Sequence, residues 1–406
     1  MIFRLRFMNI YIEKYNQDII VPNIELKIVK KTSNILFKKD YQKLKNEKEK
    51  IDTLNNVEDW DRMKKIGNPY ELIYTTYNKK KKNDSISQYI PISRSYFKLW
   101  EIFYNFNLFE KFDKSDKFIF AHLAEGPGGF MEATYNYRKK ILNKTNNPSD
   151  IFYGITLKPT NDFVPDWNKI KKTFNNSPNI NIEYGNLYMI EDVRKYIKNF
   201  KKHGAHLATA DGGFDYSSDF NGQEINSCQI IYSEAVIALN VLKIGGSFVC
   251  KIFDIFSQSM VQIIYLLYLS FEKIYIYKPE TSRPANSEKY LVCINFLDNI
   301  TIENKNNLIN NIEIWQKIGD ESMTAIFNNL KIDNHFVKNI IEYNEKYIDS
   351  QIFYLQNTIK LVEKKVSKPE YNVLINSQVK IATDWCKKYG VKINEDSIYY
   401  KKQSEF

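Results

Sequence analysis

Little in this chain could cross-link it or hold a metal. Its four cysteines, Cys228, Cys250, Cys293 and Cys386, are scattered through 406 residues with no C-x-x-C pair. That argues against a disulfide framework and a zinc site, and for a reducing compartment. No metal-ligand cluster is visible; His203 and His206, three residues apart, read as loop or helix-end residues, so no metal is expected. The amino terminus, MIFRLRFMNIYIEKYNQD, has no apolar core followed by a small-residue cleavage site, so no secretory signal is expected. The longest apolar segment, around Val261 to Phe271, falls short of the ~20 residues a membrane span needs. A soluble, intracellular protein without a membrane partner is expected. There is no internal repeat.

What is present is ample core material and positive charge. Hydrophobic residues make up 43% and aromatics 15%, which disfavours wholesale disorder. The formal net charge of +10 favours an anionic partner, most simply nucleic acid. Enrichment in Lys, Asn, Ile and Tyr also fits an AT-rich genome, so charge alone decides little. The charge is uneven: residues 1–87 hold 19 Lys and Arg against 12 Asp and Glu, which is +7 of the total.

Along the chain, residues 1–87 mix a strand-like run from Ile19 to Val29, a charged helical stretch from Lys38 to Lys50, and a lysine run at Lys79–Lys82 that reads as an exposed linker. From residue 88 the pattern alternates. Ser93 to Ile102 reads as a helix. Seven apolar runs follow, at 118–123, 151–155, 180–184, 207–210, 247–252, 273–277 and 290–296, with helix-like segments in most gaps. Cys228 to Leu242 is the clearest of these, ended by Gly245-Gly246. Such alternation predicts an α/β doubly wound sheet, and the loop joining the last two runs predicts an antiparallel final hairpin. After Asp298 long amphipathic stretches, broken at Pro369, predict a helical subdomain. The expected organisation is a basic extension over 1–87, an α/β domain over 88–300 and a helical subdomain over 301–406.

Ligands of an open α/β sheet bind outside the carboxyl ends of its parallel strands. The first run ends in Glu125-Gly126-Pro127-Gly128-Gly129-Phe130, a turn that lets a ligand approach backbone closely. The second ends at Thr156, the third at Gly185-Asn186, the fourth at Asp211-Gly212-Gly213 and the fifth at Lys251. An antiparallel last strand would start at this same edge and bring Glu288 beside them. Lys251 closes a run of strand formers, where an unpaired lysine is costly to bury. Taken alone, a lysine snorkelling from a strand end is the better explanation; two carboxylates converging on it from separate strands shift that balance.

ISRSYFKLWEI, LAEGPGGF, TADGG, GGSFVCKIF and KPETSRPANSEKYLV, in that order over about residues 88–298, together resemble the FtsJ-like ribose 2′-O-methyltransferases, a family that includes the messenger-RNA cap enzymes of eukaryotes and large DNA viruses. The resemblance implies a seven-stranded Rossmann-like sheet with S-adenosylmethionine as cofactor. It matches Lys98, Asp211, Lys251 and Glu288 to the family's Lys-Asp-Lys-Glu catalytic tetrad, and Glu125–Gly129 to its cofactor loop. It implies that a neutral Lys251 takes the proton of a ribose 2′-hydroxyl, that Lys98 stabilises the developing oxyanion, and that Asp211 and Glu288 orient the lysines. An unperturbed lysine pKa of about 10.4 must be lowered for that role. The chain departs from methyltransferases of this fold where Gly154-Ile-Thr156-Leu-Lys158 stands in place of an acid after the second strand, and Asn186 in place of an aspartate after the third. Asn186 can still accept a hydrogen bond through its carbonyl. Lys278, Ser282 and Arg283, in the loop before the last strand, are placed for RNA phosphates or for stabilising the turn. Capped mRNA is the expected substrate, other capping or transcription proteins the expected partners, and the cytoplasm or viral factory of a large DNA virus the expected setting. Methylation of ribosomal or transfer RNA, or an inactive RNA-binding subunit on the same fold, are the competing readings. A nicotinamide dehydrogenase is disfavoured because Gly126 to Met131 lacks the third glycine of G-x-G-x-x-G.

Overall fold

The computed structural model describes residues 10–12, 35–54, 57–75, 84–114, 116–142, 149–160, 165–174, 179–214, 221–318, 332–364 and 366–404. The strand-like run at 19–29 and the lysine run at 79–82 lie outside them. The chain opens with β1 (Ile10–Tyr11), α1 (Lys38–Asp52), α2 (Val57–Ile66), a 3-10 turn at Glu71–Ile73, and α3 (Ser95–Asn105). The alternating region then runs β2 (Ile119–Leu123), α4 (Gly129–Leu142), β3 (Ile151–Thr156), α5 (Asn168–Thr173), β4 (Ile180–Tyr184), α6 (Ile190–Lys198) and β5 (Ala205–Ala210). It continues with α7 (Gln223–Val241), β6 (Leu242–Ile252), α8 (Gln258–Ser270), β7 (Phe271–Tyr277) and β8 (Lys289–Phe296). Among the described residues after the sheet there are four helices: α9 (Ile302–Ile318), α10 (Asn334–Lys364), α11 (Lys368–Lys388) and α12 (Ile398–Ser404). Among the described residues, no helix is long and apolar enough to cross a membrane.

The strands form one sheet in the order β1-β7-β8-β6-β5-β2-β3-β4. All seven expected runs are strands of it. The eighth strand is the two-residue β1, which pairs antiparallel with β7, Ile10 opposite Ile276. Strands β4, β3, β2, β5 and β6 are mutually parallel, whereas β8 lies antiparallel between β6 and β7. The central parallel strands β2 and β5 are buried on both faces and read as nearly continuous apolar runs, whereas the edge strand β4 is only half-buried. Along the first of them Phe118 and Phe120 enter one core with α3, α4 and α11, while Ala121 and Leu123 enter the other with α6 to α9. A third, smaller core joins α1, α2 and α10 through Leu44, Trp60, Ile348 and Leu355.

Two local expectations are corrected. The glycine pair does not end α7: the helix stops at Val241, and Gly245 and Gly246 lie inside β6, at a bulge opposite β5. Gly245 has φ +80 there, a conformation that other residues rarely adopt. Pro369 opens a helix as well as interrupting the pattern. It sits in the first turn of α11 behind the Ser367 N-cap, whose capping box with Glu370 satisfies end donors the proline does not need.

Candidate active site

The antiparallel insertion of β8 assembles the site. Lys251 pairs with Tyr290 and Ile252 with Lys289 across β6 and β8, so Glu288, one residue before β8, emerges beside the end of β6. On the other flank of β6 lies β5, whose end carries Asp211; the Asp211 N–H also bonds the Leu123 carbonyl at the end of β2. Lys98 arrives from α3, packed against α4, which follows the glycine loop.

These four side chains form two ion pairs. Lys98 Nζ lies 2.6 Å from Glu288 Oε1. Lys251 Nζ lies 3.3 Å from Asp211 Oδ1 and donates to the Asp211 backbone carbonyl at 2.7 Å. All four are partly accessible from one side, with side chains 12–15% exposed. Burial raises the Glu288 carboxyl, but Lys98 and Lys251 outweigh it and hold the group at about 2. Burial likewise lowers the Lys251 ammonium, yet Asp211, Glu288 and Glu234 together reverse that, and the net shift is upward. In this arrangement Lys251 therefore keeps its proton, in contrast to the lowered value its expected role requires.

Three residues outside the expected set complete the site. Tyr290, fully buried, donates to Asp211 Oδ1 at 3.2 Å and stands between Asp211 and Glu288. Glu234 of α7 reaches up behind β5: its Oε1 accepts the Gly212 N–H at 3.0 Å and its Oε2 faces Cys250 Sγ at 3.6 Å. Burial pushes its carboxyl up to about 8 against the pull of Lys251. A charge inside the apolar run Cys228–Leu242 was its visible signal. Glu71 gave none. It accepts a two-pronged contact from Arg283 at 3.0 and 3.1 Å and pairs with Arg94 at 3.3 Å.

The glycine loop is tightly walled. Gly128 has φ +107, and a Cβ on Gly129 would run into the hydroxyls of Ser93 and Ser95 at the start of α3. Its side chains, however, point inward. Glu125 is buried beneath the turn, where Oε2 meets His122 Nδ1 at 3.0 Å and Oε1 takes the Thr209 hydroxyl. Burial raises its carboxyl while His122 opposes. Phe130 is fully buried against Tyr290. Both side chains are buried beneath the turn, and the turn itself lies at the edge with Asp211. Thr156 ends β3, and its carbonyl accepts the Gly185 N–H at 2.9 Å. Asn186 uses Oδ1 on the Tyr188 N–H and gives its own N–H to Asp192, at 3.0 and 2.8 Å. One of the two lone pairs of its side-chain carbonyl is thus engaged, and the other can still accept.

Among the residues expected to meet RNA, two are displaced inward. Lys278 is buried and donates to the carbonyls of Asn286 and Glu288, both at 2.7 Å, and to Ser282 Oγ at 3.3 Å. Ser282, buried too, donates to Glu288 Oε1 at 3.1 Å. These residues support Glu288 and cannot touch a phosphate. Arg283 remains partly exposed and, with Arg94 and Lys65, lines a cavity of about 340 Å³ that also contains Glu71, Tyr74 and Ile92.

The profile of the FtsJ-like methyltransferase family matches residues 91–296, just over half of the chain. The mouse protein named cap-specific mRNA (nucleoside-2′-O-)-methyltransferase 1 is 34% identical over 258 residues, covering 58% of this chain and 29% of its own. The Drosophila melanogaster protein of that name is 34% identical over 248 residues, covering 57% and 30%, and the human one 31% over 260, covering 59% and 29%. The chain thus spans less than a third of the length of these relatives. It belongs to the FtsJ-like methyltransferase family.

Proposed function

We propose that this FtsJ-like methyltransferase methylates ribose 2′-hydroxyls of RNA, with capped messenger RNA as its substrate. The observation that carries the reading is the gathering of Lys98–Glu288 and Lys251–Asp211 at the one sheet edge that also carries the glycine loop. The cap as target is supported by the printed names of the relatives.

S-adenosylmethionine, when bound, supplies an electrophilic methyl group. The residues present suit such a donor. Glu125 and Phe130 turn inward, and Gly126 and Pro127 are the half-exposed positions through which the turn can meet a ligand. Backbone groups of that loop, with Thr156, Asn186 and Asp211, would hold it.

Toward the acceptor, Lys251 takes the proton of the ribose hydroxyl through Nζ. Since Asp211, Glu288 and Glu234 favour its charged form, the reactive neutral amine grows as pH rises. Lys98, aimed by its ion pair with Glu288, stabilises the negative charge that develops on the ribose oxygen. Tyr290 and the Asp211 carbonyl fix the direction from which Lys251 approaches. Arg283 would contact a phosphate of the transcript through the part of its guanidinium that Glu71 leaves open.

Incubating the protein with labelled donor and short transcripts that differ only in the cap tests the reading. Label is expected on the 2′-oxygen of a cap-proximal nucleotide. Equal labelling of uncapped RNA would redirect the substrate toward ribosomal or transfer RNA.

A further inference from the structure

Glu288 stands between two residues that face away from it into a buried ionic cluster. On one side Ser287 donates to Asp254 Oδ2 at 2.8 Å and accepts from Lys48 Nζ at 2.9 Å and from Gln351 Nε2 at 3.1 Å. One donor and two lone pairs are thereby used, which is everything a hydroxyl has. On the other side Lys289 Nζ bonds Asp254 Oδ1 and the Phe253 carbonyl, both at 3.1 Å. Lys48 closes the cluster by reaching Asp254 Oδ2 at 3.0 Å. All of these side chains are buried. Lys48 comes from α1 and Gln351 from α10, each far away in sequence.

Side chains alternate between faces along extended backbone. Anchoring Ser287 and Lys289 on one face therefore dictates that Glu288 leaves on the other, toward Lys98. Two ammonium groups around one buried carboxylate are a poor route to stability, since apolar residues of the same volume would serve as well or better. What such a cluster supplies is direction. Lys48 lies before the region the family profile matches, so nothing in that match assigns it a role.

We propose that Lys48 is a positioning residue of the active site: through Asp254 and Ser287 it sets the Glu288 carboxylate against Lys98. Helix α1, ahead of the region the family profile matches, is then part of the methyl-transfer apparatus. The inference rests on the role proposed above for Glu288.

Two variants test it: Ser287→Ala, which changes no charge, and the charge-neutral pair Lys48→Met with Asp254→Asn. The Lys251 side chain is titrated by NMR in the full-length protein, and kcat is measured with saturating donor. In both variants Lys251 should lose its proton at lower pH than in the wild type, because one carboxylate that holds the proton has moved away. In the double variant kcat should fall roughly tenfold to a hundredfold, the scale of lost supporting contacts and small misplacements, with donor affinity unchanged by calorimetry. An unaltered Lys251 titration in folded variants overturns the proposal, as does a loss confined to thermal stability. Methyl transfer by the wild-type protein, run alongside, is a separate matter: its absence would reject the functional reading while the lysine titration still decides the positioning.

Discussion

The phenol of Tyr290 and the carboxylate of Asp211 meet at 3.2 Å across the gap between β8 and β5, two strands separated in the sheet by β6. This bond ties the Asp211–Lys251 pair to the strand that presents Glu288, and so joins the two ion pairs into one unit.

Removing it should be felt in rate rather than in binding. Tyr290→Phe keeps the ring against Phe130 and deletes only the hydroxyl. Steady-state kinetics should show kcat lower by roughly fivefold, the kinetic equivalent of the ~1 kcal/mol that one hydrogen bond contributes. KM for the methyl donor should be unchanged.

The charge state of Lys251 predicts the pH profile. Its folded value is raised by Asp211, Glu288 and Glu234. Protons must leave before it can act as a base, so kcat/KM should climb with pH through neutrality into the alkaline range. In Glu288→Gln the rising limb should move to lower pH, because one stabilising carboxylate is gone. A rate that falls across this range would contradict the assignment.

Lys278 predicts a stability profile of the same sign with another origin. Burial, assisted by Lys289 and Lys98, lowers its ammonium to about 7, against the pull of Glu288. The unfolded chain, with a lysine near ~10.4, binds more protons between those values, so stability should increase as pH rises from about 7 toward 10. Denaturant titrations of Lys278→Met should show a flatter dependence over that window. RNA affinity should be no lower at fixed pH if the protein remains folded, since the ammonium contacts only the loop.

Much of the fold was legible because the central strands are buried on both faces and leave nearly uninterrupted apolar runs, while the half-buried β4 and β7 still showed as short runs between turn signals. The dipeptide Gly245-Gly246 misled, since a bulge within a strand and a helix terminus both call for glycine. The placement of Asp211, Lys251 and Glu288 at one edge followed from topology alone. The inward turn of Lys278, Ser282 and Glu125 did not, because short loops of mixed polarity carry no periodicity to tell which side chains face the interior. Lys48 and Glu71 lay further out of reach. Their partners stand 206 and 212 residues away, and a single sequence does not reveal such pairs.

Glu71 holds two arginines with one buried carboxylate, so its loss should be costly. Glu71→Ala takes from Arg94 and Arg283 the carboxylate they share and should destabilise the protein by about 2 kcal/mol or more in chemical denaturation. Arg283→Met, by contrast, should weaken RNA binding and reduce its salt dependence.

Gly129 has no room for a methyl group. Gly129→Ala should turn the Ser93 and Ser95 hydroxyls away and break the bond between them, costing about 1 kcal/mol, and should weaken donor binding measured by calorimetry.

The central claim is that Lys251 takes the proton of a ribose 2′-hydroxyl. Mass mapping of capped transcripts after reaction with labelled donor, for the wild type and Lys251→Met, tests it most directly. Label is expected on a ribose 2′-oxygen with the wild type, with a loss of roughly 10²–10⁴-fold in the variant, the range for a general base. Label on a base nitrogen, or undiminished transfer by Lys251→Met, would contradict it.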